Sequence, residues 1–97
     1  MVLIKVSEVP TTKEGLKLRT SRAWRINTSR LNNQDTVILV YRGEIVEVFK
    51  ILEYEDDKIS EGRIAFELEE IESDLKGKTI ITKTSNPCTI VDTLVFK

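Results

Sequence analysis

The feature that most constrains this sequence is residues 36–53, where two runs of β-branched and aromatic residues lie on either side of Arg42-Gly43. Runs of this kind favour strands, so a chain reversal between them predicts a β-hairpin. A two-residue loop would give one fully apolar face, made of Val37, Leu39, Val46 and Val48. Because Arg42 suits the positive φ of a type I′ turn poorly, a three-residue loop that ends in a Gly43 bulge is the alternative.

Shorter patterns around the hairpin predict four more strands. Residues 2–6 are apolar, and residues 63–69 alternate so that Ile64, Phe66 and Leu68 share a face. Residues 78–83 and 88–96 complete the set of strands. The residues that we expect to be buried in the hairpin and the alternating strand are Val37, Leu39, Val46, Val48, Phe66 and Leu68.

Helical signals are confined to residues 11–33. Thr11 or Thr12 can cap a short helix that runs to Lys17. A second helix beginning at residue 20 or 21 would place Ala23, Trp24 and Leu31 on one face. With the strands, this predicts an α+β, mainly β fold: a small antiparallel, partly closed β-barrel of about six strands with one or two short helices.

Length and composition indicate which broad class of protein this sequence belongs to. Ninety-seven residues predict one domain, residues 1–97, and no apolar run approaches the roughly 20 residues that a membrane helix needs. The single cysteine, Cys88, cannot form an internal disulfide, and the apolar start of the chain is too short for a signal peptide. We therefore expect a cytoplasmic protein that makes no contact with a membrane.

Catalytic and metal-binding motifs are missing from the sequence. It contains no histidine, which removes the commonest acid–base group and metal ligand. Cys88 follows a proline at a predicted strand start, where a small buried side chain is more common than a reactive thiol. The acidic residues from Asp57 onward lack the ligand spacing of a calcium loop. We expect no enzyme activity, no catalytic residue, no metal and no cofactor.

Charge is strongly segregated, although the net charge is only −1. Residues 1–30 carry seven basic and two acidic groups, residues 31–75 four basic and thirteen acidic, and residues 76–97 four basic and one acidic. The three segments therefore carry net charges of +5, −9 and +3. Such asymmetry bears on partners rather than on the fold.

The basic segment contains a tryptophan among its arginines: Arg19, Arg22, Trp24 and Arg25. Arginines can neutralise phosphates and an aromatic ring can stack on a base, so these residues predict binding to RNA or another single-stranded nucleic acid. The competing interpretation is structural, because a lone tryptophan in a small domain is usually part of the core and basic groups around it usually solvate a helix.

The acidic segment predicts a different partner. We expect residues 54–62 to form an acidic loop next to the polar face of residues 63–69, so that Tyr54, Glu55, Asp56, Asp57, Glu67 and Glu69 make one surface. That surface would attract a basic protein surface, as in a small phage- or mobile-element-type inhibitor that engages a basic site on a host protein. A solvated acidic face is the structural alternative.

Three short motifs resemble PUA-like domains, the superfamily that includes ASCH and EVE modules. They are the hairpin VILVYRGEIVEVFKI, the strand that begins Gly62-Arg63 and reaches Phe66, and the turn Gly77-Lys78, with Trp24 upstream. The resemblance covers residues 24–80 and implies a β-pseudobarrel with peripheral helices that binds RNA or a modified base in a groove. It fixes no binding residue, and the sequence shows no aromatic cage. The predicted function is therefore a non-catalytic module that binds nucleic acid or a nucleotide-like group, with the protein-binding module as the alternative.

Overall fold

The computed structural model describes residues 1–21, 24–26, 29, 31, 33–82 and 87–97. These residues form a mainly β structure with one helix, which confirms the predicted fold class. In chain order the elements are β1 Val2–Val6, α1 Lys13–Ser21, β2 Thr36–Tyr41, β3 Glu44–Asp56, β4 Ile64–Glu70, β5 Ile80–Ile81, β6 Cys88–Ile90 and β7 Val95–Phe96. No helix in the described ranges is long and apolar enough to cross a membrane.

Five strands form the main sheet, in the order β4-β3-β2-β1-β6, and β5 pairs with β7 in a second, two-stranded sheet. The pairing of β1 with β2 is parallel, and all other strand pairs are antiparallel. The predicted antiparallel character therefore holds for most of the sheet. In the described part of the chain β4 and β6 stand at opposite ends of the strand order, and closure of the sheet into a barrel stays a prediction.

The central hairpin has the two-residue loop. Tyr41 pairs with Glu44, so Arg42 and Gly43 alone form the turn, with φ of 49° and 84°. Positive φ at both positions is what a type I′ turn requires, and Arg42 adopts it although arginine is unfavourable there. The tight turn matches the twist of the two strands and fixes their register near the loop.

A β-bulge changes the predicted faces of this hairpin. The register shifts between Leu39, which pairs with Glu47, and Val40, which pairs with Ile45, so that Val46 is left as the extra residue. From this bulge as far as Ile51, each side chain of β3 lies on the face opposite to that expected from simple alternation. A second register shift, against β4 and between Ile51 and Glu53, reverses the faces again for the rest of the strand. Val48 therefore packs with Ile38 rather than with Val37, and Val46 is only half-buried, which corrects two of our predictions.

Apolar side chains cover both faces of the sheet. One cluster lies on the side of α1 and comprises Val2, Ile4, Val6, Trp24, Leu31, Val37, Leu39, Phe49, Ile64, Phe66, Leu68 and Cys88. The cluster on the opposite face comprises Leu3, Ile38, Val40, Ile45, Val48 and Ile80. The central strands are therefore buried on both sides, as their nearly continuous apolar sequences require.

Helix α1 begins after Thr12, whose side-chain oxygen accepts a hydrogen bond from the Gly15 N–H at 3.0 Å. It extends to Ser21, beyond the predicted end at Lys17. The predicted second helix falls partly on residues 22, 23, 27, 28 and 30, which lie outside the described residues. At Trp24 that prediction is wrong, because Trp24 forms a β-bridge with Ile64.

Two strand boundaries also differ from the predicted ones. The stretch 88–96 divides into β6, which pairs with β1, and β7, which pairs with β5 in the second sheet. The stretch 78–83 contributes only the two residues of β5, and residue 83 lies outside the described residues. Strand β3 continues to Asp56, so the segment predicted as an acidic loop from residue 54 begins as a strand.

Candidate functional site

Trp24, at the centre of the predicted nucleic-acid site, is a buried core residue with 5% of its surface exposed. Its Nε1–H donates a hydrogen bond of 2.7 Å to the carbonyl oxygen of Thr20, so the polar edge of the ring is satisfied inside the domain. The Arg19 guanidinium lies 5.0 Å from the ring centroid, within range of a cation–π contact. A base could stack on this ring only after the ring had been uncovered.

The other predicted nucleic-acid residues are placed differently. Arg19 and Arg25 are exposed, while Arg22 lies outside the described residues. A cavity of about 330 Å³ is lined by Trp24, Arg25, Arg63, Pro87 and Cys88. Burial raises the pKa of the Cys88 thiol to about 12, which keeps it protonated and unreactive near neutral pH. The cavity therefore offers positive charge without a nucleophile.

The acidic residues lie on a two-stranded arm, which we define as residues 52–67. Pairing of β3 with β2 ends at Lys50 and Thr36, whereas pairing of β3 with β4 continues to Asp56 and Ile64. The outer part of β3 and the start of β4 thus extend past the end of β2. Residues 52–56 are all exposed, in contrast to the buried first half of the same strand.

The strand register brings four glutamates onto one face of the arm and the adjoining part of β4. Glu53 pairs directly with Glu67, and Glu55 pairs with Ala65. Because side chains alternate along a strand, Glu69 lies on the same side as Glu67. We call Glu53, Glu55, Glu67 and Glu69 the acidic face; all four are exposed. A surface cavity of about 390 Å³ is lined by Glu53, Tyr54, Glu55, Ala65, Phe66 and Glu67.

The structure separates the remaining predicted protein-binding residues from this face. Tyr54 pairs with Phe66 and Asp56 with Ile64, and both β4 residues point into the core, so Tyr54 and Asp56 lie on the opposite side of the arm. Asp57 is buried, and its Oδ1 accepts hydrogen bonds from the N–H groups of Ile59 and Ser60 at 2.8 and 2.9 Å. Its role in the turn leaves Asp57 unavailable to a partner.

Glu53 was absent from the predicted site, yet it occupies the middle of the acidic face. The strand was expected to end at this residue, so nothing in the predicted strand placed Glu53 beside Glu67. A longer β3 would have revealed it, because residues 53 and 55 alternate with Tyr54 as the residues of a half-exposed strand do.

The four glutamates of the acidic face have no ion-pair partner among the described residues, unlike two glutamates elsewhere in the sheet. Glu47 is buried and accepts a hydrogen bond of 3.1 Å from the Lys76 Nζ, and Glu70 lies 3.6 Å from the Lys13 Nζ. None of the four glutamates of the acidic face forms an ion pair or side-chain hydrogen bond with another described residue. Among those residues no group of three or more histidine, cysteine, aspartate or glutamate side chains is arranged to hold a metal ion.

Comparison with models of known protein families, with curated proteins and with solved structures finds no significant match. The resemblance to PUA-like domains therefore stays a hypothesis based on three short motifs.

Proposed function

We propose that this chain is a non-catalytic binding domain whose acidic face engages a basic surface on a partner protein. The observation that carries the proposal is the direct pairing of Glu53 with Glu67 on neighbouring strands. Like charges at directly opposed positions destabilise a sheet, by roughly 0.2–1 kcal/mol. The pair brings no benefit to folding that we can identify, whereas a cationic partner would neutralise it.

Exposed apolar side chains accompany the charge on the arm. Leu52 is 48% exposed and Ile59 is 79% exposed, and Tyr54 lies between them in sequence. Charged groups chiefly raise the rate of association, while buried apolar and aromatic contacts lengthen the lifetime of a complex. The arm thus carries both acidic groups and exposed apolar groups within about fifteen residues of chain.

The proposal is tested by neutralising the acidic face and measuring association. The partner is first captured from nuclease-treated lysate, so that nucleic acid cannot bridge the two proteins, and is then used in surface-based binding kinetics. Replacing Glu53, Glu55, Glu67 and Glu69 with glutamine should lower the association rate by roughly tenfold or more at low salt, and the difference should shrink as salt screens the charges.

A matched control removes the same number of charges elsewhere. Glu8, Glu14, Glu72 and Asp92 are exposed and lie off the arm, so changing these residues to glutamine or asparagine alters the net charge equally. The control should associate almost as fast as the parent. If both variants slow association to the same degree, net charge alone is responsible and the proposed interface is wrong.

Nucleic acid is the second candidate partner, and the cavity between Trp24, Arg25 and Arg63 favours it. Phosphate binding by these arginines would make affinity for a short RNA strand depend on salt, with a log–log slope of about −0.7 per neutralised phosphate. Arg25→Ala should reduce that slope, and Lys58→Ala, which removes an exposed charge on the arm, should not. An absence of RNA binding at low salt would eliminate this candidate.

A further inference from the structure

The outer half of β3 has an open edge. On the β2 side, the last contact is the Ile51 N–H, which donates to the Asp35 carbonyl oxygen at 2.8 Å. Residues 52–56 then have β4 on one side, and no other strand among the described residues pairs with them. All five residues are exposed, as an uncovered edge requires.

The hydrogen bonds of Ile64 identify the backbone groups that face this edge. Both the N–H and the carbonyl of Ile64 bond to Trp24, at 2.8 and 3.0 Å, so they point away from β3. In an antiparallel ladder the residue opposite such a position also directs its backbone groups outward. Asp56 pairs with Ile64, and alternation extends the same arrangement to Tyr54. Tyr54 and Asp56 therefore direct their N–H and carbonyl groups to the open edge, where no described residue pairs with them.

The charges along this edge indicate what kind of segment can bind there. Exposed edges are usually protected by lysine, proline or a bulge, because they otherwise template the addition of another strand. Residues 52–56 contain neither lysine nor proline, and a register shift against β4 lies only at their start, between Ile51 and Glu53. They carry three acidic groups, Glu53, Glu55 and Asp56. A second copy of this chain added here in the antiparallel register would set these acidic groups against one another. An extended segment rich in lysine or arginine is complementary to them instead.

We propose that residues 52–56 of β3 bind an extended basic segment of the partner as an additional strand of the sheet. This inference rests on the proposed function and specifies how the partner binds. The backbone groups of Tyr54 and Asp56 pair with the added strand, and every second side chain of that strand lies on the side of Glu53 and Glu55. Lysine or arginine at those alternate positions gives the recognition.

The probe is a capped peptide of about eight alternating lysine and valine residues, long enough for one strand. Its matched counterpart carries N-methyl groups on alternate backbone nitrogens, which keeps the charge and removes the pairing N–H groups. We expect the unmethylated peptide to bind at least about tenfold more tightly, a difference of about 1.4 kcal/mol. Hydrogen exchange of the Tyr54 and Asp56 amides should slow on binding, while the Glu53 and Glu55 amides, which face β4, change little.

A pair of variants tests the same edge from the protein side. Tyr54→Pro removes an outward N–H that β4 does not use, and proline is tolerated where the N–H of an edge strand faces solvent. Tyr54→Ala removes the ring but keeps that N–H. Tyr54→Pro should bind the peptide about tenfold more weakly than Tyr54→Ala. If Tyr54→Pro does not fold, the comparison of the two peptides on the parent protein still decides the question.

The outcomes separate this inference from the proposed function. If both peptides bind the parent equally well but neutralising the acidic face weakens them, strand addition is wrong and the acidic interface stands. If neither methylation nor neutralisation changes binding, both are wrong. Weaker binding after methylation, together with slowed exchange at Tyr54 and Asp56, supports strand addition at this edge.

Discussion

Residues 44–50 and residues 52–56 belong to the same strand, β3, but their surroundings differ. The first stretch has β2 on one side and, on the other, the end of β4 and the chain that follows it. It contributes Ile45, Val48 and Phe49 to the core. The second is exposed throughout, and β4 is the only strand that pairs with it in the part of the chain that the structure describes. One strand therefore both stabilises the domain and presents a surface to solvent. Whether a stretch of β3 is buried therefore depends on which segments lie on either side of it and not on its own strand propensity.

The two halves of β3 should respond differently when the same charge is placed in each. Val48 is 1% exposed, so Val48→Asp puts an unpaired carboxylate into the core and should cost several kcal/mol, in a domain whose total stability is about 5–15 kcal/mol. We expect this variant not to fold. Leu52→Asp, in the exposed half, should change stability by about 0.5 kcal/mol or less. A well-dispersed NMR spectrum from Val48→Asp would contradict our assignment of the core.

The carboxylates of β3 differ in the same way. Glu47 is buried and paired with Lys76, whereas Glu53 is exposed and forms no ion pair with another described residue. The hydrogen bond and charge of Glu47 raise the pKa of Lys76 above its usual range. The ion pair therefore stabilises the domain fully below the usual lysine pKa, and the contribution is lost as pH rises through the raised pKa. Lys76→Met should be less stable than the parent at neutral pH.

The pH dependence of thermal unfolding checks this assignment. The difference in melting temperature between the parent and Lys76→Met should disappear in strongly alkaline solution, where Lys76 is neutral in both the folded and the unfolded state. Lys58→Met, which removes an exposed lysine on the arm, should unfold like the parent at neutral pH. A destabilisation of Lys76→Met that persisted at alkaline pH would show that lost packing, rather than the ion pair, causes the effect.

In the exposed half of β3 the expected change is stabilising. In the Glu67→Lys variant, residue 67 and Glu53 form an opposite-charge pair instead of a like-charge pair. The free energy of unfolding should rise by roughly 0.5–1 kcal/mol, which raises the melting temperature by a few degrees in a domain of this size. The gain should fall at high salt. Glu8→Lys serves as a control at an exposed site off the arm. A lower melting temperature for Glu67→Lys would remove the energetic basis of the proposed interface.

The smallest expected effect lies at the turn that begins β3. Arg42 has a φ of 49°, and asparagine adopts this conformation more readily, so Arg42→Asn should stabilise the hairpin by about 0.5 kcal/mol. Part of this gain is offset, because the Arg42 guanidinium lies 5.2 Å from the centroid of the Tyr41 ring. Arg42→Ala loses the same contact without the conformational benefit and should be less stable. Urea unfolding midpoints that reverse this order would contradict the turn geometry.

The sequence predicted the parts of the fold that depend on local patterns. The hairpin follows from its two β-branched runs and Gly43, and β4 from the alternation that ends at Leu68. The bulge at Val46 could not be predicted, because valine there is an ordinary strand residue and the register shift is visible only against β2. The face of Val48 was therefore assigned wrongly.

The candidate site was harder to predict because it depends on contacts between distant residues. Trp24 joins the edge of β4 at Ile64, some forty residues away in the chain, so its burial was not evident from the basic residues around it. The outer half of β3 remains a strand because β4 lies beside it, despite its acidic sequence. That pairing brings Glu53 opposite Glu67, and the alternation within each segment does not specify this register between them.

The position of β1 has a consequence for how the domain assembles. β1 lies between β2 and β6, so Val2 pairs with Val37 on one side and with Ile90 on the other. The β2–β3–β4 meander involves only neighbouring segments and can form early, whereas contacts between distant parts of a chain form slowly. During synthesis β1 is made before the other strands, but its second pairing partner, β6, is made only almost ninety residues later. Until then the edge of β1 that β6 later covers is open, so slow translation of β6 should favour aggregation.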